Sequence, residues 1–308
     1  MTAIAARARG LTTTIVSEDA LASIDRARDA SELAAALARA DLHVTGSLSA
    51  DAIDRIASGR IARDLAVLAR WSDAIAPLEL DEDRRSLRVL VRGLASGAQT
   101  ASRLSATIAT ARLPARELAK LADLPSIEQL APALARLRHP LAPALDGARS
   151  PLDSLTLELR LMRRFAGLAQ SRDDALRTYL AQLIDAENAG AALLLAARGA
   201  GIDLDRAFVP GGSRIGRDVF TAASASSIDA SRARLAEALA GSPLAGALFQ
   251  PAAAALEDAA LAWQLQTQSR LRRTDPLGLA AAIHAVLLRR NEARHLRRAA
   301  WRIAMGAA

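Results

Sequence analysis

The sequence predicts an all-α protein, and three observations support this. The apolar fraction is 51% while aromatic residues make up 3%, so the core must be built from alanine, leucine, isoleucine and valine. Alanine and leucine are strong helix formers, whereas the β-branched residues that favour strands are sparse. Apolar residues recur at helical spacing, most clearly at Ile283, Val286, Leu287, Ala293, Leu296, Ala300 and Ile303, and no alternating run is long enough for a strand. At 308 residues the chain is long for one compact core and has room for two or three domains or a repeat array.

Taken in order, residues 3–11 predict a short helix carrying Arg7 and Arg9. Ser17 opens a second helix through Ala27, and Ser31 caps a third over 32–40 with Leu33 and Leu37 on one face. A connection over 41–47 contains Gly46. Helical spacing then runs from Ser49 through Ile53, Ile61, Leu65 and Leu68 to Trp71, and Pro77 interrupts it. Residues 81–94 predict a strong helix closed at Gly93 or Gly97, since glycine adopts the left-handed conformation that ends helices. Residues 102–112 predict a further helix, and Pro114 restarts the chain.

Ser126-Ile127-Glu128-Gln129 fits a capping box leading into a helix over 130–137. Pro140, Pro143, Gly147 and Pro151 break the chain. Long helices follow over 152–168 and 172–198, the second capped by Ser171 and ended by Gly199 and Gly201. Phe208-Val209-Pro210-Gly211-Gly212 is a turn, and residues 213–229 carry little helical signal. Helix resumes over 231–239, stops at Gly241 and Pro243, and returns over 252–272. The final helix spans 275–306, with Asp275 as its cap and Pro276 in its first turn.

A pattern repeats within these helices. An acidic residue is followed three places on by a polar or imidazole residue and then an apolar one. It occurs at Asp83-Arg84-Arg85-Ser86-Leu87, Asp185-Ala186-Glu187-Asn188-Ala189 and Glu292-Ala293-Arg294-His295-Leu296, at intervals of roughly 100 residues. Ser31-Glu32, Ser126-Ile127-Glu128 and Ser231 keep the same period. The sequence therefore predicts three helical repeats, over 1–112, 113–207 and 208–308.

The formal net charge is +7 and the isoelectric point about 11.1, with Lys120 the one lysine among 40 cationic residues. Such a balance permits an acidic partner, nucleic acid or an anionic membrane surface, with a solvated basic face as the plainer reading. The scarcity of aromatics argues against stacking on single strands. Cysteine is absent, which excludes disulfides and thiolate metal sites. No apolar segment follows Arg7 and Arg9, so no secretory signal is expected. The apolar runs 191–197 and 278–288, the latter broken by His284, fall short of the roughly 20 residues a membrane span needs.

No catalytic constellation stands out. His43, His139, His284 and His295 are scattered without ligand spacing, and His284 lies on an apolar face that places it in the core. Residues 211–218 have Arg217 and Asp218 where a phosphate loop requires lysine and Ser/Thr, and no strand precedes them. Asp81 to Asp83, and Glu257 with Asp258, are interleaved with arginine and read as solvated faces or caps. Arg290, Arg294, Arg297, Arg298 and Arg302 form a basic face able to bind phosphate, lipid headgroups or a partner's carboxylates. No catalytic, cofactor-binding or metal-binding residue is assigned.

The final helix and the repeat resemble the C-type subunit of bacterial and archaeal V/A-type ATPases, whose counterpart in the eukaryotic vacuolar enzyme is the d-type subunit. Pro276-Leu277-Gly278-Leu279 and Asn291-Glu292-Ala293-Arg294-His295-Leu296-Arg297 are similar to that family's Pro-Leu-x-Ile and Glu-x-Glu-x-Arg-Asn-Leu-Arg segments. Asp185 to Asn188 resembles its middle Asp-x-x-Asn, Phe208 to Gly212 its Pro-Gly-Gly turn, and Ala5 to Leu11 its opening Tyr-Ala-x-Ala-Arg stretch, here without the tyrosine. Ser86 and His295 stand where the family has asparagine. The resemblance implies three similar helical units in a pseudo-threefold funnel. The wide end would receive central shaft subunits of the D and F type, and the narrow end would sit on the membrane proteolipid ring. It implies a single-copy, non-catalytic rotor component, cytoplasmic and peripheral to the membrane through the ring. Such a component transmits torque for proton or sodium transport coupled to ATP hydrolysis or synthesis, without cofactor, metal or nucleic acid; the alternative to this reading is a helical-repeat binding module for an acidic partner or nucleic acid.

Overall fold

The computed structural model describes residues 2–44, 48–149, 154–198, 203–250 and 253–306. Among these residues there are sixteen α-helices, three 3-10 turns and no strand. The helices are α1 (Thr2–Thr12), α2 (Glu18–Arg26), α3 (Ala30–Arg39), α4 (Ala50–Ala69), α5 (Ala76–Ala95), α6 (Thr100–Leu104), α7 (Ala115–Ala122) and α8 (Leu130–Arg136), then α9 (Ser154–Leu168), α10 (Asp174–Arg198), α11 (Leu204–Ala207), α12 (Arg217–Ser224), α13 (Ile228–Ala238), α14 (Pro243–Ala247), α15 (Ala253–Thr274) and α16 (Ala280–Ala304). One order of elements recurs, in which two short helices lead into two long ones. It appears as α2 to α5, as α7 to α10, and as α12, α13, α15 and α16 with α14 inserted.

The chain divides into two compact units. One comprises residues 1–93, 97–123 and 281–308, and the other residues 94–96 and 124–280. In the first, α1 packs on α4, with Ile4, Ala5 and Ala8 buried, and Leu65, Leu68, Leu87, Leu90, Ile283, Val286 and Leu287 are buried as well. Burying each such leucine contributes about 2 kcal/mol. In the second, α10 is the central helix, packed by α9, α12, α13 and α15. Tyr179 and Phe165 are fully buried there, and the rings of Phe208 and Phe220 meet at 5.5 Å. By length and composition α10 could cross a membrane, but 56% of its apolar window is buried inside the protein. Its buried Gln182, Asp185 and Asn188 hydrogen-bond to neighbouring elements.

Several boundaries differ from the sequence reading. The third helix is capped by Asp29, which accepts from the Ser31 and Glu32 amides while Glu32 accepts from the Arg28 amide. Ser31 lies inside that helix. The 172–198 helix starts at Asp174, with Asp173 accepting from the Leu176 amide, because Ser171 turns back onto Asp173. Ser126 makes no capping hydrogen bond, and the chain enters α8 through a 3-10 turn at Ile127–Gln129. Pro77 does not interrupt, since it lies in the first turn of α5, where its missing N–H costs nothing.

The helix expected over 102–112 stops at Leu104, after which the chain turns and Ser86 and Asp83 hold residues 108–110 in an irregular path. The final helix begins at Ala280 rather than Asp275. Asp275 instead folds over its own turn, accepting from the Leu277 amide, and its carboxylate fills the space where a side chain on Gly278 would lie. The stretch 213–229, poor in sequence signal, contains α12 and the start of α13, capped by Ser227. Gly97 and Gly306 adopt left-handed conformations just beyond α5 and α16, as expected. Gly46, Pro151, Gly199, Gly201 and Ala252 lie outside the described residues.

Candidate functional site

Each of the three repeated motifs places a buried carboxylate in the middle of a long helix, where it must find hydrogen-bond donors or a counter-ion. On α10, Asp185 is fully buried. It accepts from the backbone amides of Ser213, Arg214 and Ile215 at 3.0 to 3.1 Å and from the Ser213 hydroxyl at 3.0 Å. One turn on, Asn188 pairs with the backbone of Val209, donating to its carbonyl at 2.8 Å and accepting from its amide at 3.0 Å. The Pro-Gly-Gly turn is thus held on α10 from both sides. Glycine is required there, because a Cβ on Gly212 would stand 2.2 Å from an Asp185 oxygen.

The same geometry recurs on α5. Asp83 accepts from the Thr110 hydroxyl, and that oxygen accepts from the Leu113 amide. Ser86 exchanges hydrogen bonds with the backbone of Ile108, accepting at 2.9 Å and donating at 3.3 Å. On α16, Glu292 accepts from the Val16 amide at 2.9 Å, so the segment before α2 is held by a helix 276 residues away. In each case the clamped strand of chain carries a buried apolar residue just ahead of the next helix: Leu113, Ile215 and Val16.

The arginines of α16, read from sequence as a face for phosphate, headgroups, a partner's carboxylates or solvent, bond largely within the chain, to α2, α4, α5 and the segments beside them, while Arg298 is exposed. Arg289 is fully buried and reaches Asp64 at 2.7 Å, Glu292 at 2.7 Å and the Thr14 hydroxyl at 2.7 Å. Arg60 bonds Glu292 at 2.7 Å and the Thr14 carbonyl at 2.6 Å. Arg290 joins Glu82 at 2.5 Å and Asp81 at 2.9 Å, and Asp81 also accepts from Arg84 and Arg85. Arg297 pairs with Asp54 and Ser58, Arg302 donates to the Ala27 carbonyl, and His295 meets Asp25 at 2.5 Å.

Asp81, Glu82 and Asp83, read from sequence as solvated or capping, are therefore buried, with exposures of 0%, 1% and 0%. Buried charges at such positions are retained only when paired, and removing one partner costs about 3–5 kcal/mol. Asp54, Asp64, Arg60 and Arg289 escaped the sequence reading. Asp54 and Asp64 occupy the apolar register of α4 together with Ala57, Ile61 and Leu68, and a charge at such a position signals a buried partner.

Chemically, most of these carboxylate oxygens accept from amides, hydroxyls or guanidiniums, an arrangement that holds loops and helices in place, while Glu82 Oε2 and Asp25 Oδ1 are buried without a hydrogen-bond partner. His284 is buried, as its apolar face predicts, His139 is buried, and exposed His43 pairs with Asp41. Residues 211–218 form the clamped turn, with Arg217 stacked on Phe208 and joined to Asp205. Among the described residues, no group of three or more His, Asp or Glu is gathered in a way that could hold a metal.

Two cavities open on the first unit. One of about 350 Å³ is lined by Ser23, Arg26, Glu32 and Arg39. The other, of about 650 Å³, lies between α4 and residues 109–115, and Glu79 lines it. Burial pushes the Glu79 carboxyl above its ordinary value, opposed by Arg112 and reinforced by Asp83.

Clamped loops and internally paired charges define an all-α protein whose polar core is structural. The family model described as ATP synthase (C/AC39) subunit matches residues 4–308, and the chain belongs to that family, a stalk component of V/A-type ATPases. A search among curated proteins finds no match.

Proposed function

We propose that the chain is a non-catalytic socket of the rotor, linking the central shaft of a V/A-type ATPase to the membrane proteolipid ring. In this reading three helical units, over 1–112, 113–207 and 208–308, form a funnel whose wide end receives shaft subunits of the D and F type. The narrow end rests on the ring, which holds the protein at the cytoplasmic face of the membrane. Torque passes through it between ATP hydrolysis or synthesis and the movement of protons or sodium ions.

The observation that carries this reading is the family match over residues 4–308, which leaves almost no part of the chain for another task. The clamps are consistent with it, since a torque-bearing coupling needs loops that do not slip against their helices. Asp185 and Asp83 tie the following segment, and Glu292 the segment before α2, to a long helix at fixed points.

The test is co-expression with the shaft and proteolipid-ring subunits of the same genome, followed by native mass spectrometry. One copy of this chain bound to shaft and ring is the expected result. A monomer that ignores both would overturn the reading.

A further inference from the structure

The face of α4 opposite its buried carboxylates differs from the other arginine-bearing surfaces described above. Asp54 and Asp64 point inward to Arg297 and Arg289. The outward arc carries Arg55, Gly59, Ala62, Arg63, Ala66, Ala69 and Arg70, at helical spacing, with exposed Asp51 one turn before Arg55. Arg55, Arg63 and Arg70 are exposed, and among the described residues their side chains make no hydrogen bond or ion pair. No atom comes within 4 Å of a side chain built on Gly59. Beside this arc lies the cavity of about 650 Å³, floored by Ala62, Ala66 and Ala69 and closed by residues 109–115.

We infer that this groove docks an acidic α-helix of the shaft, an assignment that rests on the socket reading above. The groove is apolar along its floor and cationic along its rim at Arg63 and Arg70, with the buried Glu79 also in its lining. A helix with small residues on one side and carboxylates flanking them satisfies both. The alanine floor lets helix axes approach to about 8–10 Å. From Arg55 to Arg70 the arc is roughly 22 Å long, about four helical turns. Arg63 and Arg70 are two turns apart, so carboxylates seven residues apart on the incoming helix meet both guanidiniums. A flat bilayer cannot enter a groove walled by residues 109–115, and a phosphate backbone would leave the alanine floor wet. Helix against helix is the packing that covers it.

Because the chain has no cysteine, an Ala66→Cys variant carries a single thiol on the groove floor, and Ala34→Cys on exposed α3 serves as the control. Each full-length variant is treated with a maleimide alone and with the purified shaft subunit of the same genome. The Ala66→Cys thiol is expected to react at least tenfold more slowly in the complex, with the control unchanged. A double Arg63→Glu, Arg70→Glu variant is expected to bind the shaft at least tenfold more weakly and with a flatter salt dependence, while keeping wild-type helicity and binding to the ring. If the shaft binds but leaves the Ala66→Cys thiol at its free rate, or binds the double variant as tightly as wild type, the groove assignment is overturned and the socket reading stands. A wild-type chain that does not bind the shaft overturns both.

Discussion

Asp185 gathers three consecutive backbone amides and a hydroxyl onto one buried carboxylate, and nothing smaller can replace it. Asp185→Ala would leave those donors without partners and is expected to lower stability by about 3–5 kcal/mol, measured by urea unfolding. A loss below about 1 kcal/mol would show that the turn does not depend on the clamp. Glu79 presents the opposite case. Its folded form binds a proton more tightly than the unfolded chain does, because burial opposes the charge. Its contribution to stability is therefore fully present below the ordinary value of 4.5 and is lost as the pH rises through the raised folded value. Glu79→Gln keeps the neutral form at every pH. It should raise the Tm at pH 7 and leave it unchanged near pH 4; equal effects at both would exclude the linkage. At this scale the sequence revealed the spacing of Asp83, Asp185 and Glu292 but not their burial, since composition alone cannot tell which arginine faces inward.

At the scale of elements, long helices were readable because their apolar period persists over many turns, as in α10 and α16. The reading failed where short-range polar contacts override propensity. Residues 105–113 have the composition of a helix continuation, yet Ser86 and Asp83 hold them in an irregular, turning path, and Ala106, in a left-handed conformation, donates its amide to Asp54. Similarly, α12 lacks a long apolar period and is set by the clamped turn before it. The final helix tests the element directly. Leu296 is 1% exposed, so Leu296→Asp would bury an unpaired charge and should unfold α16 at a cost above about 4 kcal/mol. Circular dichroism and thermal melting check this: a fully helical variant with the wild-type midpoint would contradict the burial of that face.

For the whole molecule, the first compact unit is assembled from distant parts of the chain, since residues 1–93 and 97–123 are completed by residues 281–308. Removing residues 1–16 would take away Thr14 and Val16, the partners of Arg289 and Glu292. Amides of α16 should then exchange with deuterium at least about tenfold faster while those of α10 are unchanged, as hydrogen-exchange mass spectrometry would show. Uniform exchange across both helices would contradict a locally closed unit. The sequence suggested repetition but not this closure, because a carboxylate on α16 and an amide 276 residues earlier share no local signal.

That closure also sets a timetable for synthesis. The second unit is almost continuous, residues 124–280, and has all its parts once they have emerged. The first must wait. At about 5–20 residues per second, roughly ten to thirty seconds separate the emergence of α7 from that of α16. Through that interval Asp54, Asp64 and Glu82 lack Arg297, Arg289 and Arg290, while Asp81 has only the Arg84 and Arg85 of its own helix. On a nascent chain, the half made first is therefore the half finished last.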